Sequence, residues 1–205
     1  MDGTVTAVET LPMIATHFGL LDEVEELTQQ AVMGDVPFAH SFTRRVALLG
    51  HLPVDEVNRL VAQVPLHRLV AGFVMRHSDQ CVIVSSNLDC WCSGLLQRLG
   101  CKGHFSKACV DDNRVVGIDE VLSKRAVVDE YRAAGHQVVF VGDGHNDLEA
   151  MSHADVAIAV GLTPGTPAPS LTRVAHHIYR DEAALCRRLE ALSRVPSDDA
   201  TICRG

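Results

Sequence analysis

The sequence has few cationic and few aromatic residues. Its 205 residues hold 18 Lys and Arg against 26 Asp and Glu, which gives a net charge of −8, and aromatic residues make up 4%. A nucleic-acid surface needs a basic patch with interleaved aromatic side chains, and no such stripe occurs, so we expect no nucleic-acid partner. A phosphorylated ligand would need cations supplied locally at its binding site.

Long hydrophobic runs and a secretory leader are also lacking. No uninterrupted apolar run approaches the roughly 20 residues of a membrane-spanning helix, and the first residues do not have the pattern of a signal peptide. We therefore expect no membrane association and a cytoplasmic location. The seven cysteines should be reduced in that compartment, and Cys90-Trp91-Cys92 has no matching second pair that would favour structural zinc.

The segment 138–147, with the sequence VVFVGDGHND, is the most informative in the chain. Its four apolar residues are typical of a buried parallel strand, and its two glycines predict a tight turn at the carboxyl end of that strand. Asp143 and Asp147 would then share a loop at the sheet edge where ligands bind in open α/β folds. Two converging carboxylates repel each other unless a cation lies between them, and Mg2+ prefers such oxygen ligands.

Two simpler interpretations of this segment also exist. Asn146 and Asp147 are typical helix N-caps, so the motif could be only a capped strand-to-helix turn. A dinucleotide-binding glycine fingerprint is excluded because Asp147 occupies its third glycine position.

Other segments predict alternating strands and helices. An apolar strand from Cys81 ends in Ser85-Ser86-Asn87 ahead of a helix at 88–99, and such a strand end can form a phosphate cradle. Lys124 lies near the start of a helix at 121–134. Further predictions are helices at 20–27, 37–49, 53–64, 66–77 and 181–192, a hairpin at 105–117, and strands at 154–160 and 175–179.

The order of these motifs resembles the haloacid dehalogenase superfamily. Asp2-Gly3-Thr4 is similar to the end of its first motif, D-x-D-G-T, with Met1 at the x position. Ser85, Lys124 and the segment 142–147 match the second, third and fourth motifs. The resemblance implies a doubly wound parallel sheet with a Rossmann-like core at 1–8 and 66–195, an inserted helical cap at 9–65, and a disordered tail at 196–205.

The segment 9–49 is similar to the helical cap of phosphoserine phosphatases. That resemblance implies that Glu9 holds a substrate ammonium group and Arg45 a substrate carboxylate, with Phe38 closing over them. Ser86 and Asn87 stand where those enzymes carry Gly-Gly, so their side chains would reach the ligand. The substrate implied is a small phosphorylated metabolite similar to phosphoserine.

The resemblance also implies a mechanism. A nucleophilic aspartate, placed one residue before Met1, would accept the phosphoryl group, and the aspartyl-phosphate would then be hydrolysed. Mg2+ would be held by that carboxylate, the backbone carbonyl of Asp2 and the side chain of Asp143, with Asp147 in support. Asp2 would be the general acid and base, and Ser85, Lys124 and Asn146 would bind the phosphoryl oxygens.

Because the nucleophile is not among the 205 residues, two hypotheses remain. In the first, the protein is an enzyme whose true start lies upstream. Its first strand, which would lie in the centre of the sheet, is then truncated here. Roughly ten backbone groups of the sheet would lose their hydrogen-bond partners, at about 1–3 kcal/mol each, so we expect this chain alone to be destabilised and inactive. In the second, the protein is a non-catalytic phosphate-ligand binder or regulatory homologue.

Overall fold

A computed structural model describes residues 1–25, 38–163 and 166–194. The helices in these ranges are α1 (Thr10–His17), α2 (Phe38–Leu49), α3 (Val54–Ala62), α4 (Arg68–Arg76), α5 (Asp89–Leu99), α6 (Lys124–Ala133), α7 (Leu148–His153) and α8 (Glu182–Ser193). The strands are β1 (Val82–Leu88), β2 (Lys102–Asp111), β3 (Arg114–Glu120), β4 (Val139–Gly142), β5 (Val156–Val160) and β6 (His177–Tyr179). Residues 21–25 are also helical.

The described strands form two three-stranded sheets. In the first, β1 and β2 are parallel and β3 returns antiparallel to β2. In the second, β4, β5 and β6 are all parallel. The predicted α/β architecture with parallel strands is confirmed, but in the described ranges the strands divide into two sheets instead of one. The amino-terminal residues contribute isolated bridges, Asp2 with Thr6 and Thr6 with Leu66.

The β2–β3 hairpin turns at Asp112 and Asn113, whose φ angles are +44° and +59°. Two consecutive left-handed residues are typical of the tight hairpin turn that matches strand twist, and Asp and Asn tolerate that conformation best after glycine. The hairpin is fixed to the helical segment, because the Val115 N–H donates to the Gly50 carbonyl at 2.9 Å. A Cβ on Gly50 would lie 2.8 Å from the Val115 carbonyl oxygen, so only glycine allows this approach.

The helices of segment 9–65 pack directly on the remainder of the chain. Asn58 on α3 donates to the Cys90 carbonyl of α5 at 2.7 Å, and Arg98 of α5 donates to the Val64 carbonyl at 2.8 Å. One hydrophobic cluster contains Val57 and Trp91 among its fully buried members. The helix predicted at 37–49 is observed from the first described residue, Phe38, to Leu49, and those predicted at 53–64 and 66–77 are one or two residues shorter at each end.

The chain enters and leaves the helical segment along adjacent backbone. Ala7 donates to the Pro65 carbonyl at 2.8 Å, and His67 donates to the Val5 carbonyl at 2.9 Å. The domain division at residues 8 and 66 stays a prediction. Part of the helix predicted at 20–27 and the whole tail at 196–205 lie outside the described residues.

The sequence also predicts the absence of membrane-spanning helices and reduced cysteines. None of the helices in the described ranges has the length and apolar character required to cross a membrane. The six cysteines in these ranges all have free thiols.

Candidate active site

Asp147 organises the loop that follows β4. The whole residue is 4% exposed, and one carboxylate oxygen, Oδ2, accepts the backbone N–H groups of Asp143 and Gly144, both at 3.1 Å. A Cβ on Gly142 would lie 2.5 Å from the same oxygen, so glycine is required beneath it. The interpretation of Asp147 as a side-chain cap of α7 is wrong, because its carboxylate turns back onto the loop and makes no cap bond to that helix.

Lys124 binds the other oxygen of this carboxylate. The ammonium Nζ lies 2.6 Å from Asp147 Oδ1. Lys124 is the first residue of α6, and the Ser123 side chain caps that helix by accepting the Ala126 N–H at 3.2 Å. Burial alone would raise the pKa of Asp147, but Lys124 and the amino-terminal ammonium group lower the pKa overall.

The amino-terminal turn packs against Asp143. The Met1 carbonyl accepts the N–H groups of Thr4, Val5 and Thr6 at 2.8–3.3 Å, which closes a tight turn around Gly3 at φ +66°. A Cβ on Gly3 would lie 2.1 Å from Asp143 Oδ2. The Thr4 hydroxyl donates to Asp143 Oδ1 at 3.3 Å. The first and fourth sequence motifs therefore meet in space.

A line of hydrogen bonds connects Asp2 with the end of β1. The Asp2 carboxylate accepts the hydroxyl group of Thr10 at 2.9 Å and lies 3.1 Å from the Thr6 hydroxyl, whose single proton is shared with the Val8 carbonyl at 2.8 Å. The Thr10 hydroxyl accepts the Asn87 side-chain amide at 2.7 Å, and the Ser85 hydroxyl accepts the Asn87 N–H at 3.2 Å. Sequence reasoning missed Thr6 and Thr10, although their spacing of four and eight residues from Asp2 was visible.

Asp143 and Asp147 have opposite pKa shifts. Burial raises the pKa of Asp143, with a further contribution from Asp147, and the amino-terminal ammonium group opposes this. A cation bound near Asp143 would lower this pKa by stabilising the charged form. The Lys124 ammonium already acts in this way on Asp147.

A cavity of about 270 Å3 lies beside Asp143. It is lined by Gly3, Glu9, Asp143, Val160, Gly161, Leu162, Thr163 and Thr166. A larger groove of about 670 Å3 runs between α4 and α8, and none of the predicted site residues lines it.

Glu9 faces an acidic environment in this cavity. Burial of its carboxyl group, then repulsion from Asp2 and Asp143, raises the pKa of Glu9 to about 7. The residue is also open to solvent, and water weakens this repulsion. Burial lowers the pKa of Arg45, whereas Glu9 and Asp2 raise it, which places the guanidinium in the field of the acidic cluster.

The family model for haloacid dehalogenase-like hydrolases matches residues 1–155. The chain belongs to this family.

Relatives and solved structures extend the comparison. The chain is 30% identical to a phosphoserine phosphatase of Streptomyces coelicolor over 80% of this chain and 43% of that protein. It is 28% identical to a phosphoserine phosphatase of Archaeoglobus fulgidus over 78% of this chain and 50% of that protein. The chain thus spans half or less of the length of these relatives.

Solved structures show the same fold. The chain superposes on a haloacid dehalogenase family hydrolase of Salmonella enterica with a TM-score of 0.77 and 26% identity, covering 91% of this chain and 68% of the other. It superposes on a substrate-bound phosphoserine phosphatase with a TM-score of 0.76 and 23% identity, covering 93% and 94%.

The family motifs are brought together unequally. Lys124, Asp143 and Asp147 are joined by direct hydrogen bonds, and Asp2 is linked through Thr10 to the buried residues Asn87 and Ser85. Ser86 is also buried, and its carbonyl accepts the Ser106 hydroxyl at 2.7 Å. Asn146 is exposed on the one-turn 3-10 helix His145–Asp147. The side chain of Phe38 lies outside the described part of the structure.

The predicted metal ligands do not form a ready-made site. In the ranges that the structure describes, no three His, Cys, Asp or Glu side chains converge closely enough to hold a metal ion. The carboxylates of Asp2 and Asp147 are occupied by hydroxyl, amide and ammonium donors. Asp143 Oδ2 accepts no hydrogen bond from these ranges, so this oxygen fits a hard cation best.

Proposed function

We propose that the chain carries the active site of a Mg2+-dependent phosphomonoester hydrolase that acts through an aspartyl-phosphate. The observation that carries the proposal is the contact between the first, third and fourth motifs, in which Gly3 abuts Asp143 and Lys124 binds Asp147. The matches to hydrolases support it and give no support to a non-catalytic phosphate binder.

Each of the described site residues has its own role in the proposed reaction. Asp2 is the general acid and base, and its carboxylate is oriented by the hydroxyl groups of Thr6 and Thr10. Lys124, Ser85 and Asn146 bind the phosphoryl oxygens. Mg2+ would be held by the Asp143 side chain and the Asp2 carbonyl, and when bound it would neutralise negative charge on the phosphoryl group. Asp147 supports that site by fixing the amides of the loop.

The nucleophile is proposed to be an aspartate joined to Met1. Support comes from the position of the Met1 nitrogen, whose positive charge opposes the rise in the pKa of Asp143 and contributes to the lowered pKa of Asp147. A residue attached at that nitrogen would therefore enter the acidic cluster. A carboxylate there would lie beside the acid-base residue Asp2, as covalent catalysis requires.

The proposed substrate carries an amine and a carboxylate as well as a phosphate, as phosphoserine does. Glu9 lines the cavity beside Asp143 and suits an ammonium group. The planar Arg45 guanidinium suits a carboxylate, and electrostatic attraction to Glu9 and Asp2 supports its place near the cavity. The names of the relatives agree with this substrate class. Phe38, Ser86 and Asn87 remain proposed substrate neighbours.

Phosphate release from a panel of phosphate esters tests the proposal. The protein used is the chain preceded by a short apolar strand that ends in Asp, assayed with Mg2+. We expect hydrolysis of phosphoserine, and Arg45→Ala should raise KM for phosphoserine about tenfold or more through loss of a charged hydrogen bond. The matched control is Arg59→Ala, because Arg59 is exposed and pairs only with Asp55 on its own helix among the described residues. Equal KM values in both variants would refute the role of Arg45.

A further inference from the structure

His67 connects the carboxylate of α8 to a hydroxyl at the active-site cavity. The His67 side chain is buried, and its Nδ1 lies 3.3 Å from Glu182 Oε1 while its Nε2 lies 3.0 Å from the Thr163 hydroxyl. Glu182 is itself held, because its Oε2 accepts the Leu69 N–H at 2.7 Å. This Glu182–His67–Thr163 chain lies outside the family motifs described above.

With the His67 imidazole neutral, the chemistry of the three groups fixes the direction of each hydrogen bond. The Glu182 carboxylate can only accept, so the His67 Nδ1 donates to it. In the neutral imidazole the Nε2 then carries no proton and accepts the Thr163 hydroxyl proton. The Thr163 hydroxyl uses its only proton in the hydrogen bond to His67, and its oxygen still has lone pairs that can accept a further hydrogen bond. Towards any third group, Thr163 is therefore a hydrogen-bond acceptor.

Thr163 is one of the residues that line the cavity with Glu9 and Asp143. The segment that carries it leaves the end of β5, where the Gly161 N–H donates to the Tyr179 carbonyl at 2.9 Å. His67 is equally fixed, because its own N–H donates to Val5 in the amino-terminal turn. The acceptor oxygen of Thr163 is thus positioned by the folded core.

We propose that Thr163 contacts the substrate by accepting a hydrogen bond from its ammonium group, and that His67, held by Glu182, is the positioning residue for Thr163. The inference rests on the proposed function, since it requires a phosphate ester that bears an amine. Glu9 supplies the negative charge for that amine, and Thr163 supplies a neutral acceptor in the same cavity. Together they make the cavity selective for a hydrogen-bond donor.

Ligand binding tests this without requiring turnover. The 205-residue chain is titrated in a calorimeter, in the presence of Mg2+, with O-phosphoserine and with 3-phosphooxypropionate, the same ester without the amine. Wild type should prefer phosphoserine. Thr163→Val should weaken phosphoserine binding about tenfold, the loss expected for one hydrogen bond to a charged group, and leave 3-phosphooxypropionate unchanged. Thr163→Ser should retain the preference.

The role of His67 is tested by the ratio of the affinity for phosphoserine to the affinity for 3-phosphooxypropionate. His67→Leu should lose the preference for phosphoserine to the same extent as Thr163→Val, whereas His67→Gln, which keeps an acceptor for the hydroxyl, should restore much of it. A purely structural role of His67 predicts equal losses for both ligands. That result, or an unchanged ratio in Thr163→Val, would overturn the inference and leave the proposed function standing.

The wild-type titrations separate failure of the inference from failure of the proposed function. Binding of neither ester by the folded wild-type chain would count against the phosphoserine-like site itself, and the inference would fall with it. Binding of both esters with equal affinity would show that the amine is not recognised. That would refute the role of Thr163 without excluding a phosphatase for other esters.

Discussion

The Nζ of Lys124 lies 2.6 Å from Oδ1 of Asp147, with only 10% and 6% of the two side chains exposed. Removal of one partner from such a pair leaves an uncompensated buried charge. The pair therefore links the stability of the chain to its active site, because the same Asp147 carboxylate fixes the amides of Asp143 and Gly144.

Lys124→Met should lower the free energy of unfolding by about 3–5 kcal/mol, because it strands the Asp147 carboxylate in the interior. Urea denaturation at neutral pH measures this. Lys107→Met is the matched control, since Lys107 pairs with Asp89 at 3.3 Å with 57% and 37% of the side chains exposed, and an exposed pair contributes about 0–1 kcal/mol. Similar losses in the two variants would contradict the account.

The cost of Lys124→Met should also depend on pH. The folded pKa of Asp147 is lowered below its ordinary value of 3.8, so in wild type its stabilising contribution is present above that value and is lost as pH falls through the folded pKa. In the variant, burial without Lys124 raises this pKa, and protonation relieves the stranded charge. The stability difference between wild type and variant should therefore be largest near neutral pH and shrink on acidification. A difference that stays constant between pH 7 and pH 4 in urea denaturation would contradict this.

Mg2+ should raise the melting temperature of the chain, and chelation should reverse the rise. A ligand that binds only the folded state stabilises it by about 2.7 kcal/mol at 100 times its Kd. Asp143→Asn should abolish the Mg2+ effect because it removes the available carboxylate. Asp119→Asn is the matched control, because Asp119 is exposed on β3 away from the loop. A Mg2+-dependent shift that survives in Asp143→Asn would place the cation elsewhere.

Gly3→Ala should be more harmful than Gly19→Ala. Both glycines have positive φ, +66° and +71°, so both variants carry the same backbone penalty of roughly 1–2 kcal/mol. A Cβ on Gly19 meets nothing within 4 Å, whereas a Cβ on Gly3 would lie 2.1 Å from Asp143 Oδ2. Only Gly3→Ala should also weaken Mg2+ binding, which calorimetric titration measures. Equal stability losses with unchanged Mg2+ binding would show that the Gly3–Asp143 approach is unimportant.

Local patterns in the sequence predicted most of the elements that carry the site. The parallel strand β4, the helix predicted at 121–134 and the hairpin predicted at 105–117 each follow from neighbouring residues, so a short window is enough to predict them. The same windows left a simpler role open for Asp147, because an aspartate before a helix is usually a cap. The carboxylate instead accepts two loop amides, a choice set by the buried ammonium of Lys124 from another helix.

The rest of the site depends on contacts between distant parts of the chain. Glu182 and His67 are 115 residues apart in sequence, and Thr163 is 96 residues from His67. No periodicity or motif connects them, and a lone histidine before a helix has no distinctive signal. The division of the strands into two sheets is likewise a property of the assembled chain.

The central claim is tested most directly by measuring phosphate release from phosphoserine with two proteins that differ in a single side chain. One carries a short apolar strand ending in Asp directly ahead of Met1, and the other carries the same strand ending in Asn. The account predicts Mg2+-dependent turnover for the first protein and a loss on the order of 10⁶ in kcat for the second. Equal turnover by both, or none by either when both are folded, would contradict a mechanism through an aspartyl-phosphate at this site.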